Sequence, residues 1–272
     1  MSIVQGPALI GCQKQINSNE PMDAGFSKID RGDYEGAIAY FEDLSSRDSR
    51  PQVKVALASA YAGKAGTKIE GFWSFVQTMK KAPVTNESAR TYPFYIQNKQ
   101  NIANIEPFLP APTVENLNTV FQMMAALDIY RTRLLTIPYV DRSHRPDLQK
   151  AIQVLSEIPD RGGRVYRAAL TAAYLRAELD DGFDVWSSIQ SRINEAYRNP
   201  IESVSIFCTP VTGNFVAWLG QKFSYVDSTA ADLIFSFPSE EASFTAFEMP
   251  LSSLQQKIPV MQSSLVPSQC HE

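Results

Sequence analysis

Gly32-Asp33-Tyr34-Glu35-Gly36-Ala37-Ile38-Ala39-Tyr40-Phe41 is the stretch whose reading decides the fold. Tyr34, Ala37, Ile38, Phe41 and Leu44 recur at the spacing that places side chains on one face of a helix. Towards the N-terminus, Met22, Phe26 and Ile29 trace a preceding helix, with Arg31-Gly32-Asp33 as the turn between the two. In the other direction Ser45 to Arg50 is polar, and Pro51 suits the first position of a helix because its missing N–H would have no partner there. Val53, Ala56, Leu57, Ala60 and Tyr61 mark the apolar face of that third helix. Short turns between successive helices predict antiparallel neighbours. Small residues such as Ala37 and Ala60 let the helices approach closely, and Tyr34 and Phe41 fill the space between them.

These residues resemble the tetratricopeptide signature Gly-x-Tyr-x-x-Ala-x-x-x-Phe, over about 45 residues. Pro51 and Ala58-Ser59-Ala60-Tyr61 stand near the Pro and the small-small-x-Tyr run of a following repeat, with Pro51 about two residues late. A second copy lies downstream. Asp147-Leu148-Gln149-Lys150-Ala151-Ile152 parallels Asp33 to Ile38, Arg167 to Tyr174 parallels Lys54 to Tyr61, and Trp186 echoes Trp73. The offset of about 113 residues spans several hairpins. The expected fold is all-α: a solenoid of tetratricopeptide-like helical hairpins in two related halves, 21–105 and 114–200. The resemblance implies a protein or peptide partner held in a concave groove lined by the first helix of each pair, here about Pro51–Lys64 and Gly163–Glu178. With Tyr61 and Tyr174 packed inward, Gln52, Ser59 and Arg176 turn towards that groove. Arg176 either clamps a carboxylate of the partner or pairs with Glu178 or Asp180; the local pair is the simpler reading.

The intervening sequence is also helical in pattern. Ile69, Phe72, Trp73, Val76 and Met79 mark one helix, closed by Pro83. Glu106 to Pro112 is rich in Pro and forms a stiff connector, 106–113. Thr113 then caps a long helix carrying Val114, Leu117, Val120, Phe121, Met124, Leu127 and Leu134. Ile137 to Arg145 reads as a loop, Arg161-Gly162-Gly163-Arg164 as a turn between helices, and Phe183 to Tyr197 as a separate helix. Residues 201–250, rich in aromatics, Ser and Thr, form an irregular helical cap or a little β structure. Residues 251–272 read as a disordered tail.

Leu9-Ile10-Gly11-Cys12 resembles the lipobox of bacterial lipoproteins. The resemblance implies a lipidated Cys12 that begins the mature chain, a segment 1–20 made of signal and tether, and a periplasm-facing scaffold whose link to a membrane is that anchor. The departures are the absence of Lys or Arg before Cys12 and an apolar run broken by Gln5-Gly6-Pro7. The alternative is an incidental Cys in a cytoplasmic tetratricopeptide adaptor or chaperone.

Composition narrows the chemistry. A net charge of −4 with no Lys/Arg stripe gives no footprint for nucleic acid. No run approaches the roughly 18 apolar residues of a membrane-spanning helix. The two histidines, His144 and His271, sit near no Cys or paired carboxylates at metal-ligand spacing. Nucleophile elbows and glycine-rich phosphate loops are missing from the pattern. Glu87-Ser88 and Glu202-Ser203 match the glutamate-serine pair of lytic transglycosylases without the surroundings that would raise the glutamate pKa. A cell-wall hydrolase is therefore a minor alternative. Cys208 and Cys270 form a disulfide in an oxidising compartment or, more simply, are a buried thiol and a tail thiol. The sequence thus predicts a non-catalytic scaffold with no catalytic, cofactor or metal residues.

Overall fold

The computed structural model describes residues 20–67, 71–81, 84–103, 106–108, 111–196 and 210–240, and every regular element among them is helical. The α-helices are α1 (Glu20–Asp30), α2 (Tyr34–Arg47), α3 (Pro51–Lys64), α4 (Phe72–Lys81), α5 (Asn86–Thr91), α6 (Pro93–Ile102), α7 (Ala111–Leu134), α8 (Arg145–Ser156), α9 (Arg161–Ala196) and α10 (Pro210–Ser236). The all-α expectation holds for these residues. Cys12, Cys208, Cys270 and the tail 251–272 lie outside them.

The turn at Gly32 shows why the first hairpin closes. Gly32 takes φ 75°, a left-handed conformation natural to glycine at a helix end. Its N–H donates to the Ile29 carbonyl and that of Asp33 to the Lys28 carbonyl, which satisfies the last carbonyls of α1. Asp33 then caps α2, its carboxylate accepting from the Gly36 N–H at 3.1 Å. One glycine and one aspartate therefore end a helix and start the next.

Packing order departs from chain order. Helix α1 packs on α2, α2 on α3, α3 on α8, α8 on α9 and α9 on α10. The two copies seen in the sequence are therefore neighbours in space. Ala37 and Ala151 are both fully buried, as are Phe41 and Leu155 one turn later. Ala60 and Ala173 are buried in α3 and α9, and each is followed by a buried tyrosine. The Lys150 ammonium of α8 lies 5.4 Å from the centre of the Tyr61 ring, and that of Lys222 in α10 lies 5.3 Å from the centre of the Tyr174 ring. Between α3 and α8 the chain makes an excursion: α4, α5 and α6 gather around α7, which in turn leans on α9.

Several boundaries differ from the sequence reading. Helix α9 runs unbroken for 36 residues and joins the two helices expected at Gly163–Glu178 and Phe183–Tyr197. Asp180-Asp181-Gly182 looks like a break, yet both carboxylates are bound by arginines, and a β-carbon on Gly182 would overlap the Trp218 ring. Glycine is there for close approach between α9 and α10, at a cost of about 1 kcal/mol in helix propensity. Gly162 and Gly163 also lie within the first turn of α9 rather than in a loop. Helix α7 begins at Ala111, so Thr113 is inside it rather than at its cap. Residues 210–236, expected to be irregular, form one continuous helix. Trp186 is buried in α9 against Phe94, Phe121 and Phe215, whereas Trp73 is 55% exposed on α4, so the two do not correspond.

Candidate functional site

Helices α1, α3 and α9 present one face each to a cavity of about 630 Å³, lined by Met22, Phe26, Val55, Gln52, Gly163 and Tyr166 among others. Pro51 and Asp160, which start α3 and cap α9, bring the two helix N-termini to its rim. Gly162 and Tyr166 are shared with a second cavity of about 710 Å³, whose other walls are Phe72 and Trp73 of α4, Arg161, Val165 and Ala169 of α9, and Phe237. The two cavities are thus compartments of one groove, with the first turns of α9 as the ridge between them.

The groove is apolar and aromatic, but its rim is charged. Phe26 is 40% exposed and Trp73 more so, and Trp73 meets Phe237 edge to face at 5.7 Å. Exposed aromatics in a concave surface are costly in water and point to an interaction site. The Arg161 guanidinium lies 5.0 Å from the centre of the Phe237 ring, and that of Arg164 lies 3.8 Å from the Phe235 ring. Tyr166, at the ridge, has its phenol pKa raised by burial, with a hydrogen bond to Ser59 acting the other way.

Of the residues predicted from sequence, Gln52 lines the first compartment, whereas Ser59 lines neither, its hydroxyl donating to the Val55 carbonyl at 2.9 Å. Arg176 does not join them. Its Nη1 donates to Asp180, and Asp180 also binds Arg131 of α7, so Arg176 belongs to an ion-pair chain joining α7 and α9. Burial and the neighbouring Arg131 lower its pKa. Phe26, Trp73, Arg161, Tyr166 and Phe237 line the compartments without a sequence signal that marks them for it. Phe26 and Trp73 sit at apolar positions of their helices, where periodicity alone does not separate a core face from an exposed one.

A second concentration of charge lies between α8, α9 and α10. Arg145, almost fully buried, donates to Glu178 at 3.1 Å and Asp181 at 2.7 Å, and Lys222, 1% exposed, donates to the other Glu178 oxygen at 2.6 Å. Burial opposes the charge on Arg145, but the two carboxylates outweigh it and raise its pKa. Burial lowers that of Lys222, which is ringed by Tyr174, Trp218 and Tyr225. Every charge in this cluster is paired, which makes it a clamp between helices, and Glu178 and Asp181 also line a cavity of about 430 Å³ with Arg142, Phe215 and Trp218. Among the described residues no group of His, Cys, Asp or Glu is arranged to hold a metal ion, and no helix is long and apolar enough to cross a membrane. Compared with models of protein families, with curated proteins and with solved structures, the chain matches none.

Proposed function

We propose that the protein is a non-catalytic scaffold, a stack of tetratricopeptide-like hairpins that holds a peptide segment of a partner protein in the groove along α1, α3 and α9. The observation that carries this reading is the pair of adjoining apolar cavities, which share Gly162 and Tyr166 and in whose walls Phe26 and Trp73 stay exposed. The repeat reading is supported by the packing order α1, α2, α3, α8, α9, α10 and by the matched burial of Ala37 with Ala151 and Tyr61 with Tyr174. Each aromatic side chain a partner buries there contributes about 1.5–3 kcal/mol before the cost of association, so micromolar binding, about 8 kcal/mol net, needs several anchors together with polar contacts. Selection of a displayed peptide library on the purified protein tests it. Enriched peptides should lose binding to Trp73→Ala and Tyr166→Ala and retain it on Glu115→Ala, a substitution away from the groove. Enrichment of no peptide, or binding indifferent to Trp73, counts against the reading.

The same proposal places the scaffold on the periplasmic side of a bacterial membrane through a lipid on Cys12, a reading supported by Leu9-Ile10-Gly11-Cys12 alone. Metabolic labelling with a clickable fatty acid should mark the native protein and not Cys12→Ser. Equal labelling of both removes the anchor and leaves a cytoplasmic adaptor.

A further inference from the structure

We infer that the groove selects an acidic segment: a carboxylate side chain at Arg161 between two apolar or aromatic anchors, one for each compartment. This rests on the groove reading above and adds the chemical class of what the groove takes.

The charges around the groove are unequal in how they are spent. Arg161 is exposed, stands where the second compartment meets the ridge at Gly162, and pairs with no carboxylate among the described residues. Its guanidinium lies over the face of Phe237, 5.0 Å from the ring centre, a contact that uses none of its N–H groups on a carboxylate. Arg164, three residues on, stacks on Phe235 and stands 4.0 Å from Asp232, whose carboxylate is already taken by Arg167. Asp160, beside Arg161, turns back to cap α9 by accepting from the Gly163 N–H at 2.9 Å. The ridge is therefore locally positive, although the chain as a whole carries −4. At the other end of the groove Asp23 of α1 lines the first compartment and forms no ion pair among the described residues. The complement is a segment whose acidic residue sits at the ridge, with apolar side chains reaching Trp73 and Phe237 on one side and Phe26 and Val55 on the other. A guanidinium that already rests against an aromatic ring has less freedom to lose when it binds a carboxylate, which favours a discriminating contact.

The test uses three fluorescein-labelled peptides with amidated C-termini and the same Phe and Leu anchors, differing in a central Glu-Glu, Gln-Gln or Lys-Lys pair. Fluorescence anisotropy with the full chain should rank the Glu peptide about tenfold above the Gln peptide, with the Lys peptide weakest. Arg161→Glu should reverse that order. Trp73→Ala should weaken the Glu and Gln peptides alike. Both positions are exposed, so neither substitution threatens the fold. Equal affinity for Glu and Gln peptides, still lost in Trp73→Ala, overturns the acidic class and leaves the groove standing. An order unchanged by Arg161→Glu also overturns it. Failure of all three peptides to bind, or binding unaffected by Trp73→Ala, overturns the inference together with the groove.

Discussion

Ala37 and Ala151 have no exposed surface, and each lies where one helix of the stack crosses the next. Ala37→Leu or Ala151→Leu should overpack that crossing and cost about 1–3 kcal/mol, measured as a lower urea midpoint with unchanged slope. An unchanged midpoint would remove either position from the contact. Asp181 is a different case, because its effect depends on pH. Hydrogen bonds from Arg145, with help from Arg142, hold its carboxyl below the ordinary 3.8. The folded pKa is below the unfolded one, so the stabilisation is complete above about pH 4 and is lost as pH falls through the folded value. Asp181→Asn should therefore lower the melting temperature near neutral pH and flatten its decline in acid; a parallel decline for both proteins would contradict the assignment. The alanines could be read from the sequence because the same pattern occurs twice. Asp181 could not, because its partners Arg145 and Arg142 come from the start of α8 and the 3-10 turn before it, 36 and 39 positions away.

Helix α9 carries two jobs along its length of about 54 Å. Its first half completes the stack on α8, and its second half supports α6, α7 and α10 through Phe183 and Trp186. Trp186→Ala should cost about 3–5 kcal/mol and expose the α7 and α10 amides together in hydrogen exchange, while α1 and α2 keep their protection. Loss of protection in α1 as well would mean that the packing is not divided in this way. Sequence periodicity finds the first half of α9 easily, since Ala168, Ala169, Ala172 and Ala173 repeat the pattern of α3. It stops at Gly182, where composition mimics a helix end. In α10 the buried stripe is Phe215, Leu219, Lys222, Val226, Ala230 and Leu233, an unbroken helical spacing. A lysine in the middle hides it, because its role as partner of Glu178 belongs to the fold and leaves no local mark.

At the scale of the whole molecule, the groove joins two parts of the chain that the sequence keeps separate. Met22, Phe26, Gln52 and Val55 belong to the hairpin stack, and Phe72 and Trp73 belong to the excursion. Of these only Gln52 is legible as a cavity residue in the sequence: periodicity puts Met22 and Phe26 on an apolar helix face without saying that the face opens on a cavity, and the resemblance does not extend to Phe72 and Trp73. The excursion also governs how the chain reaches its structure. In a regular repeat array each helix finds its neighbour across a short turn, so assembly can start anywhere and spread. Here α3 finds α8 only after a gap of about 80 residues, and closing it costs about 2–3 kcal/mol more chain entropy than a turn of about five residues. The expected order is collapse of α4, α5 and α6 around α7, which brings those ends together, followed by docking of α8. Leu148→Ala in α8 should then speed unfolding with little effect on refolding, whereas Leu127→Ala in α7 should slow refolding, as read from stopped-flow chevrons. If Leu148→Ala slows refolding as much, the order is reversed, and the stack is the template on which the excursion folds.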